Sequence, residues 1–364
     1  MKITRVQPYY LQYPLDEPFA NSHAWSKYRI AHLVEISTDA GVTGWGEGSG
    51  RLDQTAMETA LVGRNPFDIE LIWDHLYRGG RGDIAAFSAI DIALWDIVGR
   101  ALDLPIYQLL GGAHSLEIPA YASGLFRKDR VDMPAALAEE AKGYVDQGFK
   151  AVKMKIGFSA HHDVPQVEAV RRAIGDDILL AVDANCAYDV ATAMDVGRRL
   201  VPFDLYWYEE PITPDDVDGY LAIGQALPVA IAGGEGLEGR WAFRHLLQRR
   251  ALDIVQPDLC IGGGFTECRK VAAMASANHI RILPHMWGSS IRLAATLHWQ
   301  ATLPQQTQAL EPEPSLLEFD MTENKLRTEL ARPPIVAIDG VVKVPEGPGL
   351  GIEIDREVLE RYAV

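Results

Sequence analysis

Seven charged or polar side chains recur along the chain at intervals of roughly 23–28 residues: Lys155, Asp183, Glu209, Glu235, Asp258, His285 and Glu311. Three are consecutive acids, in Ala181-Val182-Asp183-Ala184-Asn185, Trp207-Tyr208-Glu209-Glu210-Pro211 and Gly233-Gly234-Glu235-Gly236. Carboxylates brought to one place repel each other, and a hard divalent cation removes that cost. Oxygen ligands select Mg²⁺, with Mn²⁺ the alternative. Within the Glu209-Glu210 pair, strand alternation puts Glu209 on the face of Trp207, so Glu209 is the expected ligand.

The other members supply proton chemistry. In Ala151-Val152-Lys153-Met154-Lys155-Ile156, alternation points Ala151, Lys153 and Lys155 to one face and Val152, Met154 and Ile156 to the other. Two neighbouring lysines lower each other's proton affinity, which suits Lys155 as a base. Lys153 is expected to neutralise a substrate carboxylate. Asp258 followed by His285 reads as a dyad in which the carboxylate orients the imidazole. Glu311 is expected as a protonated acid that donates to a developing enolate oxygen. A proton next to a carboxylate is very weakly acidic. A cation and Lys153 stabilise the resulting charge, and Lys155 and His285 reach the carbon from opposite faces.

The interval between these residues is that of one βα unit, and it dictates the elements that carry them. Apolar runs at 118–122, 151–156, 178–182, 205–208, 229–232, 253–256, 281–284 and 308–310 mostly alternate with helical patterns. Eight such runs predict a barrel of parallel strands, with chemistry at the C-terminal strand ends. Before it, residues 1–117 read as α+β: strand-like runs at 1–13 and 30–46, a long loop over 19–29, and a helix over 83–110 stopped by Gly111-Gly112. The tail over 334–344 reads as strand, turn and strand, folding back onto the N-terminal domain. The expected division is a capping domain of 1–117 completed by 325–364, around a catalytic barrel of 118–324.

Composition bounds the function class. The chain has 364 residues, 48% hydrophobic and 23% charged, as in a soluble globular protein. The net charge of −16 disfavours nucleic acid and anionic membranes as partners. No apolar run reaches membrane-spanning length, and three cysteines outside any Cys-x-x-Cys pair fit a reducing, cytoplasmic setting. Gly262-Gly263-Gly264 reads as a flexible βα connection.

At these residues the sequence resembles the mandelate racemase subgroup of the enolase superfamily. The resemblance rests on Lys153-Met154-Lys155, the Asp183/Glu209/Glu235 series, the Asp258–His285 dyad and Glu311. It extends to Ile90-Asp91-Ile92-Ala93-Leu94-Trp95-Asp96 and Gly347-Pro348-Gly349-Leu350-Gly351. Gln256-Pro257-Asp258-Leu259-Cys260 and His285-Met286-Trp287-Gly288 look most like its acid-sugar cycloisomerases and dehydratases. The resemblance implies a modified (β/α)7β TIM-type barrel with an α+β capping domain. It further implies a small-molecule carboxylate substrate and specificity set by mobile loops over 15–29 and 47–55. His23 and Trp25 in the first loop, with Asn185 and Trp287 at the barrel, are the expected substrate contacts. A homo-oligomer is the expected assembly. The expected reaction is α-proton abstraction from an acid sugar or its lactone followed by loss of a β-oxygen. A racemase or epimerase, a hydroxyproline-type dehydratase and a non-catalytic carboxylate-binding protein are the alternatives.

Overall fold

The computed structural model describes residues 1–364 apart from 305–308, 311 and 313. Its N-terminal part is an antiparallel sheet of β1 (Ile3–Ala20), β2 (Trp25–Thr38) and β3 (Thr43–Gly48), backed by the helix Ile84–Leu102. The stretch expected as a long loop over 19–29 is the tip of the β1–β2 hairpin. Phe19 pairs with Ser26 and Ala20 with Trp25, after a register shift beyond Pro14. The turn is closed by the Asn21 side chain, which accepts from the backbone of His23 and Ala24. The segment shows no clear period because the shifted register breaks strict alternation. The expected helix over 83–110 divides: the first segment ends at Asp103 in the left-handed region, and a short helix, Ile106–Leu109, follows Pro105.

The row Gly44-x-Gly46-x-Gly48 explains how closely the sheet and its helix approach. A Cβ at Gly46 would lie 1.9 Å from the Ala89 carbonyl oxygen, and one at Gly44 would lie 2.3 Å from that of Ala93. The glycines therefore let helix backbone rest directly on strand backbone. The same alternation turns Trp45 and Glu47 to the opposite face.

The barrel strands are β4 (Glu117–Ser123), β5 (Ala151–Lys155), β6 (Leu179–Asp183), β7 (Leu205–Glu209), β8 (Ile231–Gly233), β9 (Ile254–Val255), β10 (Arg281–Ile282) and β11 (Leu317–Asp320). Each hydrogen-bonded pair among them is parallel. Helices follow each strand from β4 to β10, whereas β11 is followed directly only by the four-residue Lys325–Thr328, ahead of the C-terminal helix Arg356–Tyr362. This is a (β/α)7β barrel under an α+β cap, as the family resemblance implied. Val152, Met154 and Ile156 pack into the layer beneath the helices. Ala151 joins Ala181, Trp207 and Ala232 inside the barrel.

Two expectations fail here. Among the described residues the last parallel strand is β11, beside β4; of the run expected at 308–310, residue 308 lies outside the described residues, and Ala309 and Leu310 form no strand. Glu311 lies outside the described residues. The inward carboxylate of the last strand is Glu318, which pairs in register with Tyr121. The tail hairpin, Ala337–Ile338 with Val341–Lys343, does not fold onto the N-terminal domain; it adds to β4, antiparallel, with Val341 opposite Pro119. The N-terminal half of β4 extends beyond its pairing with β5 and β11, and the hairpin takes up the backbone groups there. Only later tail residues reach the cap, where the Leu350 N–H donates to Asp96 and Arg356 pairs with Glu35. Among the described residues no helix is long and apolar enough to cross a membrane.

Adding one methyl at Gly46 tests this packing. Gly46→Ala is expected to cost about 1–3 kcal/mol through overpacking against Ala89. Urea unfolding of the two proteins side by side checks it, and an unchanged midpoint would show that the helix stands off the strand.

Candidate active site and metal centre

Register assembles the site. In the parallel ladder Lys155 lies opposite Asp183, and Asp183 opposite Glu209. Glu235 stands two residues beyond β8. The ligand atoms of Asp183, Glu209 and Glu235 all lie within 4.8 Å of one another. Asp183 and Glu209 are fully buried, and Glu235 is partly exposed. The Oε2 atom of Glu235 is buried without a hydrogen-bond partner. A converging set of hard oxygen donors with an unsatisfied member fits a divalent cation of the Mg²⁺ type. Glu210 turns away: its Oε1 accepts from the Gly234 N–H at 3.3 Å and its Oε2 from the Cys186 thiol at 3.3 Å.

The cations sit around this cluster. Lys153 Nζ is 2.5 Å from Glu209 Oε1, 2.8 Å from Glu318 Oε1 and 3.8 Å from Asp183 Oδ2. Lys155 pairs with Asp183 Oδ2. The expected depression of Lys155 by its neighbour is not the outcome. Burial and the Lys153 charge both pull its proton affinity down, but the carboxylates of Asp183, Glu235 and Glu209 together outweigh them and raise it. Burial would also lower Lys153, and Glu209 with Glu318 holds it well above the ordinary lysine value. Burial pushes Glu209 up to about 8, against Lys153 and with the help of Asp183 and Glu318.

Across the mouth, His285 Nδ1 is 2.6 Å from Asp258 Oδ2. Its Nε2 faces Glu235 Oε2 at 3.4 Å and Glu318 Oε2 at 3.9 Å. Burial disfavours the imidazolium, yet Glu235, Glu318 and Asp258 raise the ring to about 9. Lys155 closes β5 and His285 follows β10, so the strands bearing the three acids lie between them. Glu318 was not among the residues expected from the sequence. It is not a protonated acid: burial favours that form, but Lys153 and His285 hold it ionised, and it accepts from Ser123 Oγ at 2.7 Å and the Met286 N–H at 3.1 Å. Its signal was the alternation Leu316-Leu317-Glu318-Phe319-Asp320, obscured by two prolines just before it.

Other residues support the site without a motif of their own. Trp207 Nε1 and Gln256 Nε2 both donate to Glu209 Oε2, at 2.7 and 2.8 Å. Asn185 Nδ2 reaches Glu235 Oε1 at 3.4 Å, and Asn185 Oδ1 is buried without a partner. His23, from the hairpin tip, contacts the Asn185 carbonyl, and Ser22 Oγ donates to the Ala184 carbonyl at 2.9 Å. Trp25, 48% exposed, stands beside that tip. Trp287 packs against Phe126 and Phe19, with ring centroids 5.1 and 6.1 Å away. Arg29 is buried rather than offered on a loop: its guanidinium lies 3.9 Å over Trp287 and 2.7 Å from Asp320 Oδ2. Cap and barrel thus share an aromatic and ionic seam beside both proposed bases.

Residues 136–358 match the enolase C-terminal domain-like family, and residues 11–111 match the mandelate racemase / muconate lactonizing enzyme N-terminal domain. The chain belongs to the enolase superfamily. This superfamily member is 40% identical over 373 aligned positions to D-galactarolactone cycloisomerase of Agrobacterium fabrum, an alignment covering 100% of this chain and 99% of that protein. It is 35% identical over 344 positions to arabinonate dehydratase of Saccharolobus solfataricus, covering 90% and 89%. It also superposes on a racemase from Streptomyces coelicolor solved with bound magnesium, with a TM-score of 0.87, 31% identity and 100% of both chains covered. The chemistry is therefore of the acid-sugar cycloisomerase and dehydratase type.

The seam predicts a stability effect. Arg29→Met leaves the buried Asp320 without its ion-pair partner, with only the hydrogen bonds from Thr322 and Asn324 remaining, and is expected to cost about 3–5 kcal/mol. Adding Asp320→Asn should restore part of that loss. Chemical denaturation of the single and double variants measures both, and an additive double variant would rule out the pairing.

Proposed function

We propose that this protein is a divalent-cation-dependent enzyme that removes the proton α to the carboxylate of an acid sugar or acid-sugar lactone and then expels a β-oxygen, as a lactone cycloisomerase or dehydratase. The observation that carries the reading is the pair Lys155 and His285, flanking the converging carboxylates of Asp183, Glu209 and Glu235 from either side. A protein that only bound a carboxylate would need the cation and Lys153, not a proton carrier at each flank. The cycloisomerase and dehydratase relatives support the substrate class.

Bound to the three acids, Mg²⁺, or Mn²⁺ as the alternative, supplies electrostatic stabilisation of the negative charge that develops when the proton leaves. Lys153 neutralises the substrate carboxylate. Lys155 and His285 move protons at the α-carbon on their respective faces, one as base and the other as general acid toward the departing oxygen. Asp258 fixes His285 with its Nδ1 protonated, which leaves Nε2 to exchange a proton with substrate. Glu318 is the proposed holder of Lys153 and His285, in place of the role first expected of Glu311. His23, Trp25, Asn185 and Trp287 are the proposed substrate contacts. Asn185 Oδ1 offers an acceptor to a hydroxyl, and Trp287 offers an apolar wall.

Two outcomes are expected. With Mg²⁺ in D₂O, a panel of acid sugars, their lactones and hydroxyprolines followed by proton NMR should show α-proton exchange with elimination or ring opening for an acid sugar or lactone. No exchange across the panel, with metal binding demonstrated by calorimetry, would favour a binding protein. Exchange with inversion and no elimination would favour a racemase. Lys155→Ala and His285→Asn should each lower exchange by at least roughly 10²-fold on one face only; turnover retained in both would contradict these roles.

A further inference from the structure

We propose that Arg292 is a positioning residue that holds the Asp258–His285 dyad in its working geometry. The proposal rests on the functional reading above and adds to it a residue that no motif marks.

Arg292 is the third residue of the helix Ser290–Ala301, and its side chain is only 8% exposed. Its Nε donates to Asp258 Oδ1 at 3.0 Å, its Nη2 donates to Asp258 Oδ2, and its Nη1 donates to the Trp287 carbonyl at 2.9 Å. The guanidinium fork thus engages both carboxylate oxygens and fixes the carboxylate plane. The Cys260 N–H completes Oδ1 at 2.7 Å, and His285 Nδ1 completes Oδ2. With each oxygen holding two donors, Asp258 has no rotation open to it that keeps its bonds. His285 Nδ1 is then held in one direction, and Nε2 in turn faces the Glu235 and Glu318 side.

The anchor of Arg292 comes from the cap. The carboxylate of Glu47, fully buried, accepts the backbone N–H groups of Ser289 and Arg292 and the Ser289 hydroxyl. The carboxyl group of a β3 side chain therefore caps the N-terminus of the barrel helix that carries Arg292. Lys155 shares none of these partners: its ion pair is with Asp183, on the far side of the cluster. Arg292 should consequently act on one face of the substrate and leave the other alone. A merely structural residue would weaken both.

The test uses the full-length, Mg²⁺-loaded protein and the Arg292→Met variant. Exchange in D₂O is followed for D-galactonate and D-talonate, which differ in configuration at the α-carbon, and for their lactones. The expected result is a loss of roughly 10–100-fold in His285-face exchange, with KM unchanged and Lys155-face exchange within about twofold. Arg292→Lys, which keeps the charge but not the fork, should recover little. Equal loss on both faces, or full activity in Arg292→Met, overturns the proposal. Imidazole ¹H–¹⁵N spectra without substrate give a second readout. The hydrogen-bonded Nδ1–H signal assigned through His285→Asn should be present in the wild type and lost in Arg292→Met. Absence of exchange in the wild type strikes the functional reading, whereas persistence of that signal in the variant strikes Arg292 alone. If Arg292→Met does not fold, Arg292→Lys carries both measurements.

Discussion

Five carboxylates, those of Asp183, Glu209, Glu235, Asp258 and Glu318, crowd one barrel mouth against Lys153, Lys155 and Arg292, with His285 as a further cation only when protonated. Ions withdrawn from water are costly unless each is paired and hydrogen-bonded. Much of the surrounding structure answers that demand. Trp207 and Gln256 donate to Glu209, Ser123 and the Met286 peptide to Glu318, and Cys260 to Asp258. The carboxylates still outnumber their partners. That imbalance is the physical reason why the same cluster fits a divalent cation and why its lysines hold their protons tightly when the carboxylates are their only company.

The barrel turns this local problem into a regular one. Parallel register sets Lys155, Asp183 and Glu209 side by side, and alternation within each strand separates the inward charges from the helix-facing apolar residues. The cap finishes the wall. Arg29 and Phe19 reach Trp287 from the hairpin, His23 reaches Asn185, and Glu47 reaches the helix behind His285. The cap is thus part of the mouth, contributing charge as well as cover.

The sequence disclosed what repeats and concealed what occurs once. Lys155, Asp183, Glu209, Glu235, Asp258 and His285 were legible because each ends a strand or follows one within three residues, and the interval between them stays near one βα unit. The choice of Glu209 over Glu210 followed from alternation alone, and the convergence of Glu209 with Asp183 and Glu235 supports it. The last strand was misplaced because β11 has four residues and follows a proline-rich segment, so its apolar pattern had little length in which to repeat. Glu311 was placed in the ring from that early position for the strand, and it lies outside the described residues. Glu47 and Arg292 were invisible for a different reason: their partners lie 242 and 34 residues away, and nothing local to either position records the contact. Proton affinity was also beyond reach, since the pull of Asp183 on Lys155 depends on register and not on the spacing of the lysines.

The hydrogen bond from Leu350 to Asp96 and the ion pair of Arg356 with Glu35 span 254 and 321 positions of the chain. On the ribosome, the first hundred residues emerge long before the segment that completes them. The buried carboxylates of Asp96 and Glu35 must therefore wait, solvated or provisionally paired, while the entire barrel is synthesised. Closing so long a loop is slow and entropically demanding. Completion of the cap therefore waits on the barrel that separates its two parts along the chain.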